Sequence, residues 1–159
     1  MLMTGGFLIA GILFNMYYQY SYEKDYLSEF SDQGEALDKL ETGTDLAVLK
    51  TGDESIYRYD QMGTHSYENS SMQTGTNSTS YYFSVASGDI PNFFNEVDLN
   101  TPWDYHYENL DSRTILDRLA AVKYFVVKAG EEEYLPYGYD TLAAEAEKKD
   151  RLYRAYECK

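Results

Sequence analysis

The chain has 159 residues, the size of one ordinary domain. Its 27 acidic residues outnumber 13 basic ones and give a formal net charge of −14. This charge excludes a nucleic-acid-binding function, because an acidic chain repels phosphate backbones. A single cysteine, Cys158, excludes an internal disulfide and a cysteine-based zinc site. The 43 % of apolar residues excludes a disordered acidic tail.

The first 22 residues predict a transmembrane helix. No charged residue occurs in residues 1–22, and 22 helical residues span roughly 33 Å, the thickness of a hydrocarbon core. Four tyrosines between positions 17 and 22 are typical of the aromatic belt at a membrane surface. The next charges, Glu23, Lys24 and Asp25, are mostly acidic. This flank predicts a cell-membrane protein whose residues after about 22 lie on the extracytoplasmic side.

Three alternatives for this segment stay open. A secretory signal peptide would begin with Lys or Arg and end in small residues, whereas this segment has no basic start and a tyrosine-rich end. A buried core helix rarely runs 22 residues without a charge. The missing basic flank also indicates a piece cut from a longer membrane protein, so that Met1 is not a biological start.

Residues 23–159 predict a small mixed domain, and its first half contains short elements. A helix is expected over 32–41, a strand over 54–60 and a long polar loop over 64–80. Residues 81–85 fit a strand or the start of a buried helix. Asp89 can cap a helix in which Phe93, Phe94 and Val97 pack inward. An aromatic loop over 101–107 contains the only tryptophan.

The second half has the clearest periodicity. A helix from Arg113 to about 122 places Ile115, Leu116 and Leu119 on one face, and residues 123–127 predict a buried strand. A turn over 129–133, a second helix from Asp140 to about 150 and a strand over 152–156 follow. The fold class is therefore α+β, with a few strands and helices on one side of them.

No pattern in the chain predicts catalysis, a metal or a cofactor. Gly-rich phosphate loops and the nucleophile elbow are absent from the sequence. His65 and His106 could each act as a base or ligand, but lone loop histidines are usually just solvated. The segment from Asp98 begins like a calcium loop, yet Pro102 and Trp103 occupy positions that need an oxygen ligand and a glycine.

Closely spaced aromatic residues are the main candidate for binding. Tyr81, Tyr82, Trp103 and Tyr105 offer rings that could stack on sugars. The competing interpretation is that the same rings fill a small core or an interface. The candidate substrate-binding residues are therefore these four, with no catalytic residue assigned.

Several segments in order resemble the extracytoplasmic region of the bacterial YfhO membrane proteins. The segments cover Asp53–Asp60, residues 77–84 with 90–94, residues 116–125 and residues 134–139. The resemblance extends over roughly residues 5–159. Family members are large polytopic proteins, similar to glycosyltransferases that use lipid-linked sugars, and are linked to the decoration of lipoteichoic acid.

The resemblance implies a role without catalysis for this segment. The family's acceptor-activating acids are expected in early membrane loops, so the segment would be a lid or an acceptor-guiding domain, truncated at its C-terminal end. Its expected partners are membrane lipid and a cell-surface glycopolymer or lipid-linked sugar. Two other hypotheses stay open: a single-span, membrane-anchored module that binds surface carbohydrate or protein, and a secreted hydrolase with a cleaved leader.

Overall fold

The computed structural model describes residues 2–20, 41–62, 69–99 and 105–159. The chain forms two compact units, Met1–Lys39 and Leu40–Lys159. The first unit contains helix α1, Leu2–Tyr20, whose side chains over residues 5–18 are exposed. Among the described residues, no helix is both long and apolar enough to cross a membrane. The helix predicted at the N-terminus is thus present, and its transmembrane placement stays a prediction.

The second unit mixes short helices with strands, as the α+β class predicts. Its helices are α2 (Gly43–Leu49), α3 (Ser70–Thr74), α4 (Asp89–Glu96), α5 (Thr114–Leu119) and a 3-10 turn (Glu132–Tyr134). Its strands are β1 (Arg58–Gln61), β2 (Tyr81–Tyr82), β3 (His106–Tyr107), β4 (Val122–Lys128), β5 (Tyr139–Lys148) and β6 (Arg151–Cys158).

Four strands form the main sheet in the order β1-β4-β6-β5. β1 runs parallel to β4, and the other two pairings are antiparallel. A parallel pair needs a long crossover connection, and here it contains α3, β2, α4, β3 and α5. β2 and β3 pair with each other as a separate two-stranded sheet within this crossover.

Alternating side chains of β4 build a core on each face of the sheet. Phe125 and Val127 pack on one face, where Leu116 of α5 joins them. Tyr124 and Val126 pack on the other face against Val48 of α2. Period-two alternation explains this division, because successive strand side chains point to opposite faces. Helices therefore cover both faces, and the expectation of helices on one side was wrong.

A buried carboxylate joins α2 to β1. Thr42 caps α2, and its hydroxyl accepts the Asp45 amide at 3.1 Å. The buried Asp45 carboxylate in turn accepts the hydroxyls of Thr42 at 2.6 Å, Thr76 at 3.0 Å and Tyr59. Three donors compensate the desolvation of this charge. The sequence reasoning had assigned no element to residues 43–49.

The helix predicted from Asp140 to about 150 was wrong, because these residues form β5. They pair antiparallel with β6, with Leu142 opposite Tyr156 and Lys148 opposite Arg151. Lys149 and Asp150 both have positive φ, at 51° and 60°. Positive φ at both central residues is the signature of a two-residue type I′ hairpin turn, which joins the strands.

Helix α5 confirms the helix predicted from Arg113 to about 122, although it is shorter. The face predicted to point inward, with Ile115, Leu116 and Leu119, is not the buried one. Asp117 is fully buried, whereas Ile115 and Leu119 are exposed and only Leu116 reaches the core. The helix ends before Ala121, whose φ is +59°. Apolar spacing therefore does not indicate burial in this helix, because the fully buried side chain is that of Asp117.

The remaining elements agree in part with the sequence. The strands predicted at 123–127 and 152–156 are confirmed as β4 and β6, and the helix predicted at Asp89 is α4, which buries Phe94 but exposes Phe93. Only the end of the predicted strand 54–60 belongs to β1, and α3 lies inside the predicted polar loop. The helix predicted over 32–41 lies almost wholly outside the described residues.

Candidate functional site

The two-stranded sheet brings three of the four candidate residues together. Tyr81 and Tyr82 form β2 and pair with Tyr107 and His106 of β3. Tyr105 directly precedes β3, and its carbonyl accepts the Phe83 amide at 3.1 Å. Trp103 lies outside the described residues. The sheet therefore joins aromatic residues from two chain segments more than twenty positions apart.

The two faces of this small sheet have different environments. The Tyr81 ring stacks on Tyr107 with centroids 4.9 Å apart, and Tyr107 is buried against Phe94. Burial raises the pKa of Tyr81 above its usual value. On the other face, the Tyr82 ring lies 4.7 Å from the His106 ring. The Tyr81 ring therefore packs toward the core, in line with the interpretation that these rings fill a core. The Tyr82 ring is exposed.

We call four residues at this end of the β2–β3 pairing the aromatic cluster: the exposed Tyr82, Phe83 and Tyr105 and the half-buried His106. Tyr82 is 39 % exposed and Tyr105 is 52 % exposed. Tyr105 has a φ of +69°, a conformation rarely adopted by a bulky residue and found mostly where the surrounding structure enforces it. The backbone of the cluster is thus held in place at Tyr105.

An asparagine side chain holds β2 in place. The Asn69 amide nitrogen donates to the Tyr82 carbonyl at 2.9 Å, and its oxygen accepts the Tyr82 amide at 3.0 Å. These two bonds satisfy the backbone carbonyl and amide of Tyr82, as a neighbouring strand would. Asn69 itself has a φ of +61°, which asparagine tolerates better than most residues. No sequence signal links two positions 13 residues apart, so this support was missed.

The side chains of Asp60 on β1 and Asp117 on α5 form a pair of buried carboxyl groups. Asp60 accepts the Thr79 hydroxyl at 2.6 Å, the Gln61 amide at 2.8 Å and the Leu110 amide at 3.0 Å. Neither carboxyl oxygen of Asp117 has a hydrogen-bond partner among the described residues. Burial, together with the neighbouring charge of Asp60, raises the pKa of Asp117 to about 8. Burial raises the pKa of Asp60 as well, so the folded chain favours protonation of this carboxyl pair.

The pair cannot act on a large substrate, because both side chains are fully buried. The sequence gives no sign of this pair, because Asp60 lies in a predicted strand and Asp117 stands between Leu116 and Arg118 of a predicted helix. In the described ranges, no three His, Cys, Asp or Glu side chains cluster in a way that could hold a metal ion. His65 and Asn100, at the other suggested ligand positions, lie outside those ranges.

A surface ion pair connects the start of β4 to the loop after α2. The Lys123 ammonium donates to Asp53 at 2.5 Å, and the Tyr124 hydroxyl donates to the same carboxylate at 2.9 Å. The bond from Lys123 lowers the pKa of Asp53 well below its usual range. A carboxylate held in this way has a structural role, since its acceptor positions are occupied.

Comparison with known proteins identifies the family that this chain matches. The profile of the family described as "Bacterial membrane protein YfhO" matches residues 2–157. No curated protein and no solved structure matches the chain significantly. The family match covers α1 and all but the last two residues of the α+β unit, and it confirms the resemblance inferred from the ordered segments. The chain belongs to the YfhO family of bacterial membrane proteins.

Proposed function

We propose that this chain is the extracytoplasmic portion of a glycosyltransferase-like membrane protein, in which the α+β unit guides the acceptor. The acceptor would be lipoteichoic acid or another cell-surface glycopolymer, and the donor a lipid-linked sugar. The aromatic cluster is the single observation that supports this role most strongly. It presents rings from two chain segments at the surface instead of in the core.

The chemistry of the cluster suits a saccharide. The faces of sugar rings carry C–H groups that pack on aromatic faces, while hydroxyl groups at their edges need polar partners. Tyr82 and Tyr105 combine an apolar ring with a phenol hydroxyl, and the imidazole of His106 beside Tyr82 adds a further polar edge. The fixed backbone of Tyr105 favours binding, because less conformational freedom is lost when a ligand docks.

The membrane placement is also part of this proposal. Apolar side chains of α1 such as Phe7, Ile9 and Leu13 are exposed, and lipid is the environment that suits them. We place α1 in the membrane and the residues after about 22 outside the cell. Catalysis is assigned to other segments of the parent protein, so the chain on its own is expected to be inert.

Titration of the full chain with purified lipoteichoic acid tests the proposal. Tyr82→Ala and Tyr105→Ala should each weaken binding about threefold to tenfold, because each removes one stacked ring. The matched control is Tyr134→Ala, which removes a half-exposed tyrosine from the 3-10 turn. Thermophoresis in one detergent compares all four proteins.

The result can contradict the proposal in two ways. Equal affinities in Tyr82→Ala, Tyr105→Ala and Tyr134→Ala would show that the aromatic cluster does not bind the polymer. Sugar transfer catalysed by the chain alone would disprove the claim that it lacks catalytic residues.

A further inference from the structure

The second unit exposes four large apolar side chains close to α5. Ile56 is 100 % exposed, Tyr137 93 %, Leu119 77 % and Ile115 76 %. Single exposed apolar residues are ordinary, but a contiguous group on a soluble surface is uncommon and indicates an interaction site. We call these four residues and the two arginines beside them, Arg58 and Arg118, the α5 face.

Local contacts join the members of the α5 face. Ile115 and Leu119 are four residues apart, so they lie on one side of the helix. Ile56 and Arg118 line the same concavity of about 320 Å³. The Thr114 hydroxyl donates to the Tyr137 carbonyl at 2.7 Å, which places Tyr137 beside the first turn of α5. The patch therefore runs from one end of this helix to the other.

The charges around the α5 face differ from those of the whole chain. Residues 1–112 carry 18 acids and 4 bases, whereas residues 113–159 carry 9 of each. Arg58 donates to the Ala120 carbonyl at 2.8 Å, which holds its guanidinium against the end of α5. Lys123 nearby is neutralised by Asp53 and Glu157. Arg58 and Arg118 are thus cations at this face whose side chains lie outside the ion pairs that hold Lys123 and Lys159.

We propose that the α5 face docks on the phosphate-bearing interface of a lipid bilayer. The isoleucine and leucine side chains would enter the boundary between headgroups and acyl chains, as apolar residues of interfacial helices do. Tyr137 is an amphipathic ring suited to that depth. The two guanidinium groups, each with N–H donors beyond those used within the chain, match lipid phosphates.

The charge pattern favours lipid over a protein partner. Acidic surface elsewhere on the chain repels an anionic bilayer, so the chain would approach it with the face that presents Arg58 and Arg118. Membership of a membrane protein family places a bilayer within reach of this chain. The proposal is independent of saccharide binding, because the aromatic cluster lies on β2 and β3 and shares no residue with the α5 face.

Fluorescence quenching in vesicles tests this docking on the full chain. An environment-sensitive dye is attached at Ile115→Cys in a Cys158→Ser background, and the chain is reconstituted in phosphatidylcholine with phosphatidylglycerol. Lipids with nitroxide-labelled acyl chains then serve as the quencher. The control label is at Met72→Cys on α3, an exposed position on the helix that contacts α2 on the other face of the sheet.

Nitroxide lipids should quench the dye at position 115 at least about twofold more than the dye at position 72. A second label at Leu119→Cys should behave like the first, which guards against local damage by one substitution. Quenching of the 115 dye by aqueous iodide alone would overturn the proposal, because the face would then be solvated. Shielding from both quenchers would also overturn it, since a protein surface would then cover the face.

Discussion

The buried pair of Asp60 and Asp117 illustrates how burial raises the pKa of two neighbouring carboxyl groups together. Asp60 receives two amide donors and one hydroxyl donor, which stabilise its carboxylate. Asp117 has no such donors among the described residues, so its neutral form is favoured. Two ionised carboxylates in one buried site would repel each other strongly. The raised pKa values of both groups therefore favour a proton on this pair in the folded structure.

Substituting Asp117 should remove a pH dependence of stability. The folded-state pKa of Asp117 is about 8 and its ordinary value is 3.8, so the unfolded chain loses this proton first as pH rises. The free energy of unfolding should therefore fall between about pH 4 and pH 8 and level off above that. Asp117→Asn cannot ionise, so its free energy of unfolding should rise relative to that of the original chain as pH rises over this range.

Urea unfolding of both proteins between pH 4 and pH 8.5 measures this difference. Asp60→Asn is the contrasting variant, because it disturbs three hydrogen bonds and should destabilise the unit at every pH. A constant difference between Asp117→Asn and the original chain across the range would show that Asp117 is ionised in the folded state.

Strand β5 shows how pairing can override helix propensity. Residues 140–150 are rich in Ala, Glu and Lys, which favour a helix in isolation. In the fold, β5 gains a ladder of hydrogen bonds with β6 and buries Tyr139 and Ala146. Helix propensities amount to only a few tenths of a kcal/mol per residue, so tertiary pairing outweighs them.

A different element, α2, depends on the absence of a side chain at its first position. A Cβ added to Gly43 would lie 2.1 Å from the Tyr153 ring of β6. Gly43→Ala should therefore destabilise the unit by about 1–3 kcal/mol, because the ring or the helix must move. Chemical unfolding of the variant and the original chain measures the loss.

Two further variants isolate the cause. Gly88→Ala is the matched control, because no atom lies within 4 Å of the added Cβ and it should change stability little. In a Tyr153→Leu background, Gly43→Ala should cost clearly less than it does alone, as a double-mutant cycle would reveal. An equal cost in both backgrounds would mean that the ring contact is not responsible.

Sequence patterns predicted the elements that are apolar throughout and failed where burial involved polar side chains. The run Lys123–Val127 contains only β-branched or aromatic residues after its lysine, and β4 follows it closely. Neither Asp45 nor Asp117 gave any signal of burial, so α2 and the inward face of α5 were missed. The β2–β3 sheet brings three of the candidate tyrosines together, but the strand pairing that separates Tyr81 from Tyr82 depends on long-range contacts.

At the scale of the whole molecule, the net charge of −14 is the dominant electrostatic feature. Like charges repel more in the compact state than in the expanded chain. Moderate sodium chloride should therefore raise the melting temperature of the full chain, by about 2 to 4 °C between low and physiological salt. Differential scanning fluorimetry in one detergent at several salt concentrations measures the shift.

A variant with three exposed acids neutralised provides the comparison. Glu54→Gln, Glu96→Gln and Glu133→Gln together remove three negative charges from exposed positions. This variant should have a smaller salt effect than the original chain. A melting temperature that falls with salt in both proteins would indicate that attractive ion pairs, such as Lys123 with Asp53, outweigh the general repulsion.

The parallel pairing of β1 with β4 determines when the second unit can fold during synthesis. Arg58 pairs with Val122, which is 64 residues later in the chain. At about 5 to 20 residues per second, the ribosome supplies β4 several seconds after β1. During this delay Tyr59 and Asp60, both fully buried in the finished structure, have no sheet to enter. Folding is therefore a late and cooperative event, and the high sequence separation of its contacts makes it slow.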